Sequence, residues 1–373
     1  MSKTILNILT PIPFWHAGTH ELIEGLRNNG FEVVALDIWD FKYYNQNGVT
    51  EYLIPTWIKG FARKVYKKLN RKRIIKKYIN NDQIVDIQWC GHYYSAYMGE
   101  IKANSKKVYA TLYGSEFYRS TQVRHKIQRK IFDLADYIVL GPNMDNDFTQ
   151  VFPGLEKKYL FTQYGSKRLD KIGNFPVEKE RKGIRLKYGI SESEIVITVG
   201  YNSKPEQQHL VMLNCLRRLD NELKDKIILV FPLTYGVKKT DEYFQKLLRE
   251  IQGSDFRSLI FQERLSDEEL IETKIISDIT VNFQTTDALS SSIKEAFAAK
   301  NIVVVGDWLP YEIYENLGIF FYRTSIENAL NTLSLVLNNL DENKKALSSN
   351  QEKVLAFASW DVLINQYIFN YKL

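Results

Sequence analysis

The chain has 373 residues, 45% of them apolar, which is enough for two domains that each bury a core. Its two cysteines, Cys90 and Cys215, lie far apart in sequence; they exclude a disulfide framework and a cysteine metal site, and they favour a reducing compartment. The net charge of +6 is local, because Trp57 to Tyr78 holds ten Lys or Arg and no acid, so the other residues carry −4.

In chain order, "TILNILTPI" reads as a buried strand that ends in a Pro-rich loop. Pro11 and Pro13 interrupt this first segment and no small-residue cleavage site follows, so no secretory leader is read. No window reaches about 18 uninterrupted apolar residues, so no bilayer span is expected either, and the expected location is the cytoplasm. "GTHELIEGLRNNGFEVVALDI" reads as a helix closed by Gly30 and then a second strand. In the basic stretch, Trp57, Ile58, Phe61, Ala62, Val65, Tyr66 and Leu69 fall at alternating spacings of one and three. That spacing predicts an amphipathic helix with a cationic rim, suited to the surface of an anionic membrane. A solvated helix packed on its own domain is the alternative. A nucleic-acid partner is set aside, because no nucleic-acid motif accompanies the charge.

"VDIQWC", "KKVYATLYGS", "YIVLG" and "KYLFTQYGS" read as further strands, with "VRHKIQRKIFDLAD" as a helix among them. Residues 165–187 are charged and lack an apolar period, and they read as a linker. After them "EIVITVGYNS", "KIILVFPLTYG", "SLIFQERLS", "ITVNFQ" and "NIVVVGD" alternate with helical segments, and the tail "LAFASWDVLINQYIFNYKL" reads as helical. Alternation on both sides of a linker predicts two parallel, doubly wound sheets with a cleft between them. In such sheets ligands sit at the carboxyl ends of strands, so the loops that follow strands carry the candidates.

After "ITVNFQ" comes "TTDALSSS". Ser290, Ser291 and Ser292 stand where helix caps belong. Free amides and the positive end of the helix dipole there suit a diphosphate. Glu295, one turn on, can accept a ribose diol, and Asp287 can contact a sugar ring. A serine-capped helix with a solvated glutamate fits the spacing as well. "TLYGSEFYRS" ends a strand at a Gly114 turn followed by Glu116. "VGYNSKPEQQHLVML" is strand, Gly loop and helix, offering Asn202, Ser203, Lys204 and His209; Lys204 is the one cation in that loop, and His209 equally suits an ordinary hydrogen bond. "PIPFWHAGTHELI" offers His16, Gly18 and His20. "DND", Asp145 to Asp147, resembles a cation-binding triplet, but its position reads as a helix cap.

The segment "DALSSSIKEAFAAKNIVVV" is similar to the Glu-x(7)-Glu segment of retaining glycosyltransferases of the GT-B fold, family 4 above all, with Asp287 where those proteins usually have Glu. "TLYGSEF" resembles their His-Gly-x-Asp-like acceptor segment, with Tyr113 in place of His and Glu116 in place of Asp. The order of later features, "VGYNSKPEQQHLVML" and "LVFPLTYG" among them, resembles the bacterial transferases of 4-acetamido-4,6-dideoxygalactose, which build surface polysaccharide. The likeness runs in order from the first strand to about Asp307. It implies an α/β protein of GT-B type with two Rossmann-like domains: an acceptor domain over 1–172, a nucleotide-sugar domain over 173–352, and a C-terminal helix over 353–373 that can cross back to the first.

The resemblance implies a metal-independent hexosyltransferase with no cofactor beyond a nucleotide diphosphate sugar as donor, acting on a lipid-linked or glycan acceptor at the inner face of the membrane. Glu116 and Asp287 are the catalytic candidates. Gly18, Asn202, Ser203, Lys204, His209, Tyr235, Ser290, Ser291, Ser292 and Glu295 are assigned to the donor, and His16, His20, Tyr113 and Gly114 to the acceptor. Retention of configuration is expected; Glu116 acting as a true base would allow inversion. A GT-B nucleotide-sugar epimerase and a non-catalytic sugar-nucleotide binding partner are the other functions this pattern admits.

Overall fold

Short runs of Ile and Val bounded by Gly and charged turns fold as parallel strands buried on both faces. The computed structural model describes residues 5–9, 17–163, 165–287 and 289–372. The chain divides into two units, one of Met1–Ser166 with Trp360–Leu373 and the other of Lys167–Ser359. The sequence expectation drew these boundaries at 172/173 and 352/353.

The first unit holds β1 (Ile5–Leu9), β2 (Glu32–Asp37), β3 (Lys42–Tyr44), β4 (Thr50–Tyr52), β5 (Ile84–Gln88), β6 (Lys107–Thr111), β7 (Tyr137–Leu140) and β8 (Tyr159–Phe161). They form one sheet in the order β4-β3-β2-β1-β5-β6-β7-β8. All pairs are parallel except β2–β3 and β3–β4, which form an antiparallel margin that the sequence reading did not separate. Its strands are three residues long, too short to show a period. The helix Ala17–Asn28 buries Leu22, Ile23 and Leu26, and the C-terminal helix Trp360–Lys372 joins the same cluster through Trp360, Leu363, Tyr367 and Tyr371.

The second unit holds β9 (Ile195–Val199), β10 (Ile227–Pro232), β11 (Arg257–Phe261), β12 (Ile279–Asn282), β13 (Ile302–Gly306) and β14 (Tyr322–Thr324), all parallel, in the order β11-β10-β9-β12-β13-β14. The expected linker is corrected here. Residues 165–187 are mostly two helices, Lys167–Gly173 and Val177–Lys187. Leu169, Ile172 and Val177 are buried in the core and Phe175 and Ile184 pack against it part-buried, spaced too irregularly among the charges to show a period. Arg185 fastens the second helix to the sheet, because its buried guanidinium pairs with Asp278 at the start of β12.

The basic stretch is a helix over Gly60–Tyr78, and Trp57 and Ile58, expected on it, lie in the turn before it. Its apolar residues divide between two faces. Ile58 and Tyr66 pack on the core with Ile74 and Ile75, while Trp57, Phe61, Val65 and Leu69 point outward, the first two at 79% and 81% exposure. No helix among the described residues is long and apolar enough to cross a membrane.

Candidate functional site

In the second unit the chain lays down β9, β10 and β11 on one side and then places β12 against the other side of β9. The strand order therefore reverses between β9 and β12, and the crevice beyond their carboxyl ends is where a doubly wound sheet binds its ligand. Two loops meet there. The loop after β9 is stitched to the loop after β12: Gln284 Oε1 accepts from the Tyr201 hydroxyl (2.8 Å) and from Gln207 Nε2 (2.6 Å), and Thr285 N–H donates to Glu206 O (2.9 Å).

A third loop, after β10, is tied in by Ser203. Its Oγ donates to Tyr235 O (2.9 Å) and accepts from Val237 N–H (3.0 Å). Gly236 is required at that contact, because it holds φ +131 and a Cβ there would come within 2.8 Å of Ser203 Oγ. Asn202 Oδ1 accepts from Lys204 N–H (2.9 Å). His209 is fully buried with Nδ1 against the Tyr243 hydroxyl (3.1 Å), and burial lowers its pKa to about 4. Asn202, Ser203 and His209 thus shape the loop from within. Lys204 is half-buried, and Tyr235 is 58% exposed at the same end of the unit.

The loop after β12 runs into the helix Ser291–Ala298, with Ser290 as its cap residue. Leu289 takes φ +59 just ahead of it, a left-handed conformation that costs a non-glycine residue about 1–2 kcal/mol. The Asp287 carboxylate accepts from Ser290 N–H (3.3 Å) and from the Tyr311 hydroxyl, so it is held from two sides. The backbone N–H groups of Ser291 and Ser292 have no partner among the described residues, as the first turn of a helix dictates.

Glu295 is one turn in and only 4% exposed, and its Oε1 accepts from Arg168 Nε (3.1 Å). Arg168 also reaches Asp267 (2.9 Å). Two more cations lie here. Lys274 Nζ donates to Ser292 Oγ (2.6 Å), and Lys294 stands beside Asp287 and Glu295. Both lysines are 4% exposed, and burial lowers each pKa to about 8.

The fold therefore gathers Lys204, Tyr235, Asp287, Ser290, Ser291, Ser292 and Glu295 around one crevice, with Asn202, Ser203 and His209 beneath its loops. Sequence reasoning counted Lys204 as the one cation. It missed Arg168, Lys274, Lys294 and Tyr311. Lys294 had a legible signal, a lysine inside the apolar run "IKEAFAA". Lys274 had a similar one, since it shares a helix face with Ile271 and Ile275. Arg168 had none, because its partner is 127 residues away.

In the first unit the order reverses between β1 and β5. His16 lies outside the described residues. Gly18 falls in the first turn of the helix Ala17–Asn28, and His20 is exposed with its ring 6.0 Å from that of Tyr44. After β6, Gly114 takes φ +104 and opens a short helix, Ser115–Tyr118. Glu116 turns back, and its Oε1 accepts from Tyr113 N–H (2.6 Å). The Tyr113 hydroxyl donates to Gln88 Oε1 (2.9 Å). Glu116 Oε2 is buried without a partner among the described residues, and burial raises the pKa of the carboxyl to about 7 against the pull of the Tyr113 amide.

The loop after β5 adds residues that sequence reasoning did not single out. Trp89 takes φ +56, stacks on Tyr93 at 6.0 Å and donates from Nε1 to Ser115 Oγ (3.0 Å). Asp145 and Asp147 open the helix Asp145–Val151, where the Tyr118 hydroxyl donates to Asp147 (3.0 Å). No group of three potential metal ligands occurs among the described residues.

No protein-family model matches the chain, and no curated protein sequence matches it. Solved structures do. A glycosyltransferase from Rickettsia africae aligns with a TM-score of 0.72 at 18% identity, over 100% of this chain and 98% of the other. Sucrose-phosphate synthase from Thermosynechococcus elongatus gives 0.73 at 12%, over 100% and 98%. Anabaena HepE in complex with UDP-glucose gives 0.70 at 12%, over the whole of both chains. These likenesses show the fold, which is α/β of the GT-B type.

Proposed function

We propose that this protein is a glycosyltransferase that moves a hexose from a nucleotide diphosphate sugar to a lipid-linked or glycan acceptor in bacterial surface-glycan synthesis. One observation carries the reading. At the strand-order reversal of the second unit, a helix opens with two unpartnered amides, at Ser291 and Ser292, and one turn later sets the buried carboxylate of Glu295. Amides at a helix start suit a diphosphate, and a carboxylate at that distance suits a ribose diol. HepE, similar in fold, has been solved with UDP and with UDP-glucose, which supports a nucleotide sugar as the donor class.

In this reading the bond between the sugar's anomeric carbon and the diphosphate breaks, and a bond to the acceptor oxygen forms. The helix start and the nearby cations take up the charge that develops on the leaving diphosphate, with no metal in the step. Asp287, held by Ser290 and Tyr311, orients the sugar. The acceptor hydroxyl gives its proton to the leaving phosphate if configuration is retained, or to Glu116 if it is inverted. A pKa of about 7 leaves Glu116 able to accept a proton near neutral pH. Retention is the outcome we favour. The exposed stripe Trp57, Phe61, Val65 and Leu69, set among ten cations, supports peripheral docking on the anionic inner face of the membrane.

A thermal-shift panel of nucleotide sugars tests the donor, because a bound ligand raises the melting temperature by mass action. One nucleotide sugar is expected to give the shift, and Glu295→Ala is expected to weaken its binding roughly tenfold, the scale of a lost charged hydrogen bond. The same variant should bind the 2′,3′-dideoxy form of that nucleotide as the wild type does. Conversion of donor to a new sugar without any acceptor would point to an epimerase instead, and binding without turnover by any acceptor would point to a non-catalytic partner.

A further inference from the structure

Lys274 poses a problem for the second unit. It projects from the helix Asp267–Ile276, it is 4% exposed, and no carboxylate lies within ion-pair distance of its ammonium among the described residues. A buried charge without a direct ion pair is costly, and proteins keep few of them. The ammonium has three N–H donors, and among the described residues it makes one hydrogen bond, to a neutral hydroxyl, Ser292 Oγ, at 2.6 Å. The charges around it are Glu295 and Arg168, and Glu295 already accepts from Arg168.

The contact with Ser292 has a direction. An ammonium only donates, so Ser292 Oγ must accept from it. The hydroxyl's own proton then points elsewhere. It sits in the first turn of the helix, beside the unpartnered amides of Ser291 and Ser292. Two amides and one hydroxyl whose oxygen is already engaged by Lys274 thus stand in the first turn of the helix, beside a buried positive charge. Donors at a helix start beside a buried cation that has no direct ion pair suit an anion.

We infer that Lys274 is a positioning residue for the donor diphosphate: through Ser292 it fixes a hydroxyl as a hydrogen-bond donor to a phosphate oxygen, and its charge is balanced when that phosphate arrives. This rests on the proposed donor reading and extends it to a residue outside the resemblance segments. Burial that lowers the Lys274 pKa to about 8 agrees with a cation awaiting a counter-charge. The arrangement also trades stability for binding, because the unliganded unit carries the cost of the unpaired ammonium.

Calorimetry with inorganic pyrophosphate, which needs no knowledge of the base or sugar, tests the assignment. Lys274→Met and Ser292→Ala are each expected to weaken pyrophosphate roughly tenfold or more, the double variant to be no weaker than the worse single, and Lys274→Arg to recover part of the loss. Lys274→Met without ligand is expected to melt no lower than the wild type, which a structural lysine would not allow. Unchanged pyrophosphate affinity in Lys274→Met, additive losses in the double variant, a lowered melting temperature of unliganded Lys274→Met, or a wild type that does not bind pyrophosphate would each overturn the assignment. Wild-type protein that binds pyrophosphate, with the pattern above, but no nucleotide sugar would overturn the donor reading and leave Lys274 as an anion-positioning residue.

Discussion

Three carboxyls of the first unit are raised by burial, Asp37 and Asp86 to about 6 and Glu116 to about 7. Each then holds its proton in the folded state at a pH where the unfolded chain has released it. For such a group the unfolded state binds fewer protons, so stability falls as pH rises from the unfolded value through the folded one. For Glu116 that window runs from about 4.5 to about 7. Replacing the carboxyl by an amide removes the titration. The stability of wild type relative to Glu116→Gln should therefore drop by about 2.5 kcal/mol between pH 5 and pH 8, read by urea unfolding at each pH. A flat difference would mean that the carboxyl is hydrated in solution. Asp86 has its own support, accepting from Thr111 Oγ1 (2.6 Å), from Gln88 and from the Tyr371 hydroxyl, so its site is satisfied where that of Glu116 Oε2 is not.

Among the elements, the helix Gly60–Tyr78 departs most from ordinary burial. A helix that packed all its apolar residues inward would leave only charge outside. This one turns Phe61, Val65 and Leu69 outward while Ile74 and Ile75 hold it to the core, and Arg71 lies 4.1 Å above the Trp39 ring. Phe61 and Leu69 are largely exposed, at 81% and 74%, so their removal should be nearly silent in folding and visible in docking. Phe61→Glu and Leu69→Glu are each expected to lower co-sedimentation with vesicles containing anionic lipid by roughly tenfold, the scale of one apolar side chain withdrawn from a membrane, with the melting temperature unchanged. Equal sedimentation with purely zwitterionic vesicles would remove the electrostatic part of the proposal.

At the scale of the whole chain, the last helix belongs with the first strands. Trp360 donates to Glu21, Tyr109 OH donates to Asn370 O (2.8 Å), and Tyr371 donates to the buried Asp86. Gly25 lets the helix come close, since a Cβ there would stand 2.8 Å from Ile364. A chain ending at Ser359 should therefore lose amide-exchange protection in β5, β6 and the helix Ala17–Asn28, while β9, β10 and β12 keep theirs, because the second unit closes its own sheet and core without those residues. Equal loss in both sets of strands would mean that the two units fold as one.

Much of the fold was legible locally. Aliphatic runs ending at Gly or Asp marked the parallel strands, and "SSSIKEAFAAK" marked a helix start at Ser291, because caps and periodicity act within a few residues of sequence. The segment over 165–187 was not legible as helix. Its apolar residues are buried only in the company of the helix Ser291–Ala298 and its neighbours, and its Arg185 pairs with Asp278, 93 residues away. The candidate site divides in the same way. Sequence alone placed the serines, Glu295 and Asp287 along one loop and one helix turn, because their spacing is local. Only the tertiary structure brought Arg168, Lys274 and Tyr311 to them and drew His209 out of contact with solvent, because the depth of a side chain and the charge opposite it are set by elements distant in sequence.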